Sequence, residues 1–178
     1  MKNVIMSLTD LLGSEYVESV CRTRCALSGE PYDKLAEAAN EKIEFFPFSL
    51  CGRINELTDQ IGNNITPPFE NDNTGAATEA FAKASNYAMS PIGGFGPYRV
   101  GENGRLYFIG KSEHYHTPLG HNFPGYRLID AARQIGIMNA THNNTRGYIT
   151  RLAERQIVAD VNGVNLNKVA AILESKEK

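Results

Sequence analysis

The histidines are the first residues in this sequence whose types and spacing could carry chemistry. All four lie between positions 114 and 142. His114 and His116 are two residues apart, so on a strand both side chains point to the same face. With His121 nearby, they form a geometry that transition metals accept. No carboxylate completes a common ligand motif, because Glu113 would point to the opposite face. We therefore predict no metal and favour histidines that hydrogen-bond within the structure or line a pocket.

A run of mainly polar side chains, residues 139–146, lies between two predicted helices and ends at Arg146. If the run is buried against a pocket, the guanidinium can bind a carboxylate or phosphate through two parallel hydrogen bonds. If it is exposed, it is only a helix start, with Asn144 or Thr145 as the capping residue. Both interpretations stay open. The residues that we predict to contact a substrate or partner are His142, Asn143, Arg146, His114 and His116.

The chain has an odd number of cysteines, namely Cys21, Cys25 and Cys51, which argues against a disulfide framework. Cys21 and Cys25 are four residues apart and share one face of a predicted helix, so they could supply two metal ligands. Cys51 does not complete a tetrahedral site, and no histidine is near in sequence. We favour small, buried, apolar side chains in a reducing compartment.

Composition excludes several classes of protein. The chain has 178 residues, of which 42% are hydrophobic and 21% charged, as in one soluble globular domain. Its formal net charge of −2 provides no basic field for nucleic acid. No apolar run approaches the roughly 20 residues that span a bilayer, and the first six residues lack a secretory apolar region. We predict a cytoplasmic protein with neither nucleic-acid nor membrane partners.

Three regions organise the chain: a helical region, residues 1–66; a loop rich in Pro, Gly and Asn with one short helix, residues 67–97; and a hairpin followed by helices, residues 98–178. Seven helices are predicted. The first runs from Ser7 to near Ser28, and the third has the apolar face Leu50–Ile61. The others are Tyr32–Ile43, Ala76–Ala88, Pro124–Gly136, Gly147–Val158 and Leu166–Leu173. The helix that starts at Pro124 is expected to bury Leu128, Ile129, Ala132 and Ile135.

The strand signal is a β-hairpin. Tyr98–Val100 and Leu106–Ile109 flank Asn103-Gly104, and Asn-Gly supplies the positive φ angles that such turns need. The preceding segment, Pro91–Pro97, is predicted to be a flexible loop. It is not a phosphate-binding loop, since it lacks the Lys-Ser/Thr ending of that motif. The fold class predicted is α+β, with several helices around a small antiparallel hairpin or sheet.

Two motifs and their order then resemble a known family. The turn reads Asn103-Gly104-Arg105-Leu106-Tyr107. The second motif, Leu119-Gly120-His121-Asn122-Phe123-Pro124, follows the turn at the distance expected for the family and precedes a predicted helix. A later helix contains Leu152-Ala153-Glu154. Over roughly Pro97–Val158 the chain resembles the amino-terminal segment of the class III (fold type I) pyridoxal-phosphate-dependent aminotransferases, which include glutamate-1-semialdehyde aminomutase. It departs from the family pattern at two positions, with Ile109 in place of an Asp and Phe123 in place of a second His.

The resemblance implies the amino-terminal part of a fold type I aminotransferase, pyridoxal phosphate as cofactor and a homodimer as the working unit. It also implies structural roles for the turn residues Gly104, Gly120, His121 and Pro124. Transamination needs a Schiff-base lysine, a carboxylate beside the pyridinium nitrogen and a glycine-rich phosphate cup, and no lysine here stands in the family's context. We therefore expect a truncated or split aminotransferase-related domain that is not catalytic alone and that self-associates or pairs with a missing large domain. The alternatives are a small ligand-binding or interaction module with a His/Arg/Asn pocket and, less favoured, a histidine–metal enzyme.

Overall fold

The computed structural model describes residues 3–72, 75, 78–109, 119–137 and 147–169. Over these ranges the chain combines α-helices with two small antiparallel sheets, which confirms the predicted α+β class. The helices are α1 (Leu8–Leu12), α2 (Ser14–Ser28), α3 (Tyr32–Asn40), α4 (Phe48–Thr58), α5 (Glu79–Ala84), α6 (Arg127–Ile135) and α7 (Tyr148–Val161). The strands are β1 (Ile5–Met6), β2 (Ile43–Glu44), β3 (Pro91–Phe95), β4 (Tyr98–Gly101) and β5 (Leu106–Phe108). Short 3₁₀ helices lie at Tyr87–Met89, Pro124–Tyr126 and Leu166–Lys168.

The chain forms two compact units, and each is built from two separate stretches of sequence. The sheet unit contains residues 1–7 and 41–130, and the helical unit contains residues 8–40 and 131–178. Both sheets belong to the sheet unit. In the smaller sheet, β1 and β2 pair antiparallel with Ile5 opposite Glu44 and Met6 opposite Ile43.

The larger sheet has the antiparallel order β3-β4-β5 and packs against α4. Its core consists of Leu57, Tyr98 and Leu106, all at least nine-tenths buried. Three partly buried side chains pack against that core, namely Ile54, Phe95 and Val100. Because core residues on β4 and β5 alternate with polar ones, this sheet has one apolar face and one polar face.

The predicted hairpin is confirmed as β4 and β5, with Val100 opposite Leu106 and Tyr98 opposite Phe108. Gly104 in the turn has φ of 75°, a backbone conformation that costs glycine little. A Cβ at this position would also overlap the carbonyl oxygen of Thr66. The turn therefore requires glycine for both its conformation and its packing.

The prediction of a flexible loop at Pro91–Pro97 was wrong, because residues 91–95 form strand β3. The strand pairs with β4, with Gly94 opposite Arg99 and Phe95 opposite Tyr98, and its register shifts between Pro91 and Gly93. Glycine and proline are unfavourable inside strands and favour bulges and edges. Pairing with β4 outweighs that local preference here.

Helices α1, α2, α3 and α7 lie in the helical unit. One helix was predicted from Ser7 to Ser28, but the structure divides it at Gly13, whose φ is 88°. Helix α2 ends as expected, with Gly29 in the left-handed conformation and its N–H bonded to the Cys25 carbonyl. The residues buried on these helices are Leu8, Leu12, Val17, Cys21, Leu35, Ala39 and Ala159.

Four further boundaries or faces differ from the prediction. Helix α3 ends at Asn40 rather than Ile43, because Ile43 is taken into strand β2. Helix α5 is shorter than Ala76–Ala88, and a separate 3₁₀ turn follows it. On α6 the buried residues are Leu128, Ala131 and Ile135, whereas Ile129 is 46% exposed. Of the helix predicted over Leu166–Leu173, the described part begins with a 3₁₀ turn at Leu166–Lys168.

Candidate functional site: the polar face of the three-stranded sheet

Strand pairing separates the two faces of the sheet β3-β4-β5. Phe95, Tyr98 and Phe108 are directly opposite one another across the three strands, so their side chains share the apolar face. The rings of Tyr98 and Phe108 are 6.2 Å apart in an edge-to-face arrangement. The hydroxyls of Tyr98 and Thr58, on α4, lie 2.8 Å apart and form a hydrogen bond.

The opposite face carries Arg99 and Tyr107. Gly94, Arg99 and Tyr107 are directly opposite one another, so the two side chains start from the face opposite that of Tyr98. Both residues are half-buried. The Asn103 side-chain amide donates a hydrogen bond of 2.8 Å to the Tyr107 hydroxyl. That hydroxyl therefore keeps its own proton to donate.

His121 joins the same face through two backbone hydrogen bonds. Its N–H donates to the Gly96 carbonyl at 2.8 Å, and the Gly96 N–H donates to the His121 carbonyl at 2.9 Å. A Cβ at Gly94 would overlap the His121 imidazole. The ring therefore lies directly over Gly94, on the side of the sheet from which the opposite residue, Arg99, projects.

Gly120 makes this close approach possible. Its φ is 91°, and a Cβ there would lie 2.8 Å from the Gly96 carbonyl oxygen. Pro124 begins the 3₁₀ turn that leads into α6, as suits a residue with a fixed φ and no backbone donor. The turn residues Gly120, His121 and Pro124 thus connect the end of β3 to a helix.

The arrangement presents hydrogen-bond donors of three kinds on one face. A guanidinium, a phenolic hydroxyl and an imidazole are the side chains that proteins use to hold oxyanions. We define Arg99, Tyr107 and His121 as the donor face. Sequence analysis did not select Arg99 or Tyr107. The signal was present, because Tyr98-Arg99-Val100 and Leu106-Tyr107-Phe108 both alternate apolar and polar residues across a predicted hairpin.

The sheet also borders a mainly apolar cleft of about 320 Å³ near α4, and Gly94 and Arg99 are among the residues that line it. Its lining also includes Leu57, Ile65 and Leu106. Arg53 also borders the cleft, and its guanidinium is paired with the Glu56 carboxylate at 2.8 Å. Both of these side chains are more than half exposed, so this ion pair contributes little to stability.

The contact residues predicted from sequence lie outside the described residues. These are His114, His116, His142, Asn143 and Arg146. Of the four histidines, His121 is the one within the described ranges. The donor face therefore stands as a site of its own, defined by described side chains.

The described residues contain no group of three or more His, Cys, Asp or Glu side chains that could hold a metal ion. Cys21, Cys25 and Cys51 are free thiols. Burial raises the pKa of the Cys21 thiol, and the neighbouring Cys25 adds to the effect. A raised pKa keeps the thiol protonated and unreactive at neutral pH, which agrees with a packing role for Cys21.

The described lysines do not fit the covalent attachment of pyridoxal phosphate. That attachment needs an amine in a site where it is held against the cofactor and shielded from water. Over the ranges that the structure describes, Lys34, Lys42, Lys83 and Lys168 are all exposed. None of these four amines has the enclosed surroundings that an internal Schiff base requires.

Comparisons with protein-family models, with curated proteins and with solved structures find no significant match to this chain. Function is therefore inferred from the residues themselves. Among the described helices, none combines the length and apolar character needed to cross a membrane.

Proposed function

We propose that this chain is the amino-terminal segment of a class III aminotransferase-type enzyme of the cytoplasm and that it is not catalytic alone. Its working form would include a large domain that supplies the Schiff-base lysine and the phosphate cup. The chain would contribute the hairpin and the following helix to that assembly, and it would self-associate or pair with the large domain.

The observation that carries the proposal is the position of the motifs that resemble the family. The Gly104 turn, the Gly120-His121 bend and the Pro124 helix start all belong to the sheet unit. The bend bonds to Gly96 at the end of β3, next to the hairpin. Segments separated in sequence thus belong to one compact unit, with the Gly104 turn at one end of the three-stranded sheet and the Gly120-His121 bend at the other.

Two further observations support an incomplete enzyme. The four described lysines are exposed, as stated above. Several large apolar side chains are also exposed in both units, among them Phe48 at 91%, Leu27 at 82% and Val161 at 80%. Exposed apolar side chains of this size favour contact with another protein surface.

Borohydride reduction in the presence of pyridoxal phosphate tests the lysine argument directly. Reduction fixes any Schiff base as a stable amine, and peptide mapping then locates it. For the isolated chain we expect only weak, distributed labelling of surface lysines, equal to that seen with pyridoxal, which lacks the phosphate. One lysine labelled stoichiometrically and only with the phosphate form would overturn the claim that the chain is incomplete.

Co-purification tests the family assignment. We expect the tagged full chain to retain a polypeptide which, after borohydride reduction, carries one phosphopyridoxyl-lysine. Recovery of the chain with no vitamin B6-containing partner, from cells in which it is natively expressed, would contradict the aminotransferase assignment.

A further inference from the structure

We propose that Tyr16 and Tyr148, in the helical unit, form a modification site at which oxidation joins the two side chains as dityrosine. The oxidant is hydrogen peroxide, acting through a haem peroxidase. The new bond would connect α2 to α7, and with them the two separate stretches of sequence from which the helical unit is built. The proposal goes beyond the aminotransferase assignment, since it requires neither pyridoxal phosphate nor a second polypeptide.

The first observation is the geometry of the two rings. Their centroids are 4.2 Å apart and their planes differ by 13°, so the rings are stacked almost parallel. A tyrosyl radical spreads its unpaired electron from the oxygen onto the ring, chiefly onto the ortho and para carbons. Parallel stacking places the π orbitals of the two rings face to face. Groups held together in this way react far faster than groups that must first meet by diffusion.

The second observation is that the surrounding structure holds the pair in place. The Tyr148 hydroxyl donates a hydrogen bond of 3.0 Å to the carbonyl of Leu12, at the break between α1 and α2. Burial raises the pKa of the Tyr16 hydroxyl, and Tyr148 adds to the rise, whereas Arg151 opposes it. An electrostatic effect of one hydroxyl on the other is expected when both lie at the same end of the stack. The ortho carbons, which form the new bond, lie next to the carbons that carry these hydroxyls.

The third observation is access for an oxidant. The two rings border an open cavity of about 530 Å³, whose lining also includes Ser14, Glu15 and Ser19. Tyr148 is 37% exposed, and Tyr16 is half-buried. An oxidant can therefore remove an electron at the exposed Tyr148 ring, and the contact between the rings brings Tyr16 within reach of the same reaction.

The coupling reaction consumes one molecule of hydrogen peroxide for each link. Each phenol loses one electron and one proton and becomes a phenoxyl radical. The two radicals form a carbon–carbon bond between their ortho carbons, and transfer of the ring protons from those carbons to the oxygens restores both aromatic rings and both hydroxyls. The two electrons and two protons that were removed reduce the peroxide to two water molecules. The protein therefore loses two hydrogen atoms.

Treatment of the dilute full chain with hydrogen peroxide and a haem peroxidase tests the site. We expect dityrosine fluorescence in a chain that still runs as a monomer on a denaturing gel, a mass lower by two hydrogen atoms, and a mapped link between the Tyr16 and Tyr148 peptides. Tyr16→Phe should lower the yield of the link within one chain about tenfold or more, because the aligned phenol is lost. Tyr32→Phe is the matched control, since Tyr32 lies in the same unit, is 38% exposed and has its ring under the Arg22 guanidinium. It should change the yield less than about twofold, because it leaves the aligned pair intact.

Two variants protect the test against a change in folding. Tyr16→Phe keeps the ring, and we expect its circular dichroism and thermal midpoint to stay near those of the unmodified chain. Tyr148→Phe removes the other phenol and should lower the yield equally. The proposal is overturned if no link forms within one chain, if the link maps to other tyrosines, or if Tyr16→Phe and Tyr32→Phe lower the yield to the same extent.

Discussion

At the scale of single residues, the contact between Gly94 and His121 is the tightest constraint on the donor face. A Cβ at Gly94 would overlap the imidazole, whereas a Cβ at neighbouring Gly93 meets no atom within 4 Å. The two positions are adjacent on β3 and differ mainly in what lies above them. Their contrast separates the role of this contact from the general cost of glycine in a strand.

We expect Gly94→Ala to lower the free energy of unfolding by about 1–3 kcal/mol, because the His121 ring must leave its position over the strand. Gly93→Ala should leave that free energy within about 1 kcal/mol of its original value, since the added methyl meets open space. Urea unfolding of the two variants measures both values. Equal effects, or unchanged His121 resonances in Gly94→Ala, would show that the ring does not depend on this glycine.

At the scale of elements, the sequence predicted those helices and turns whose structure is determined by residues adjacent in sequence. The β4–β5 hairpin was predicted correctly because Asn103-Gly104 encodes its turn locally. The end of α2 at Gly29 was predicted for the same reason. Strand β3 was missed, because its sequence, with Gly93 and Gly94, contains no strand pattern and its structure comes from pairing with β4.

The smaller sheet and the complete donor face likewise could not be predicted from local sequence patterns. Strands β1 and β2 contain two residues each, and the paired residues are 37 and 39 positions apart in sequence, which no local pattern reveals. Alternation along the hairpin contains the signal for Arg99 and Tyr107 on one face, although the sequence analysis did not use it. The addition of His121 depends on its backbone bonds to Gly96, a pairing that the sequence does not encode locally.

The break between α1 and α2 provides a prediction at this scale. Gly13 has φ of 88°, and the nearest atom to a Cβ there is the Tyr148 hydroxyl oxygen at 3.8 Å. A methyl group would therefore fit, and only the backbone conformation opposes it. Gly52 lies within α4, and a Cβ there meets nothing within 4 Å.

We expect Gly13→Ala to lower the free energy of unfolding by about 1 kcal/mol through the left-handed conformation. Gly52→Ala should raise it by about 0.5–1 kcal/mol, since alanine favours a helix interior. Thermal and urea unfolding measure both. A stabilising effect of Gly13→Ala would mean that α1 and α2 can merge into the single helix that the sequence suggested.

At the scale of the whole molecule, the exposed apolar side chains connect the structure to the proposed function. Ile157 is 61% exposed and Val161 is 80% exposed. They are four residues apart on α7 and therefore share one face of that helix. When a partner covers such a helix face, burial favours association by about 25 cal/mol for each Å² of apolar surface removed from water.

We expect the chain to self-associate with rising concentration and the double variant Ile157→Ser, Val161→Ser to weaken that association about tenfold or more, because two apolar side chains lose their burial. Folding stability should change little, since both residues are exposed in the single chain. Sedimentation velocity over a concentration series measures the association, with Gln156→Ser, at an exposed polar position on the same helix, as the matched control. Association that is equally strong in all three proteins would place the contact elsewhere on the surface. A chain that stays monomeric throughout would leave a separate large domain as the partner that these side chains require.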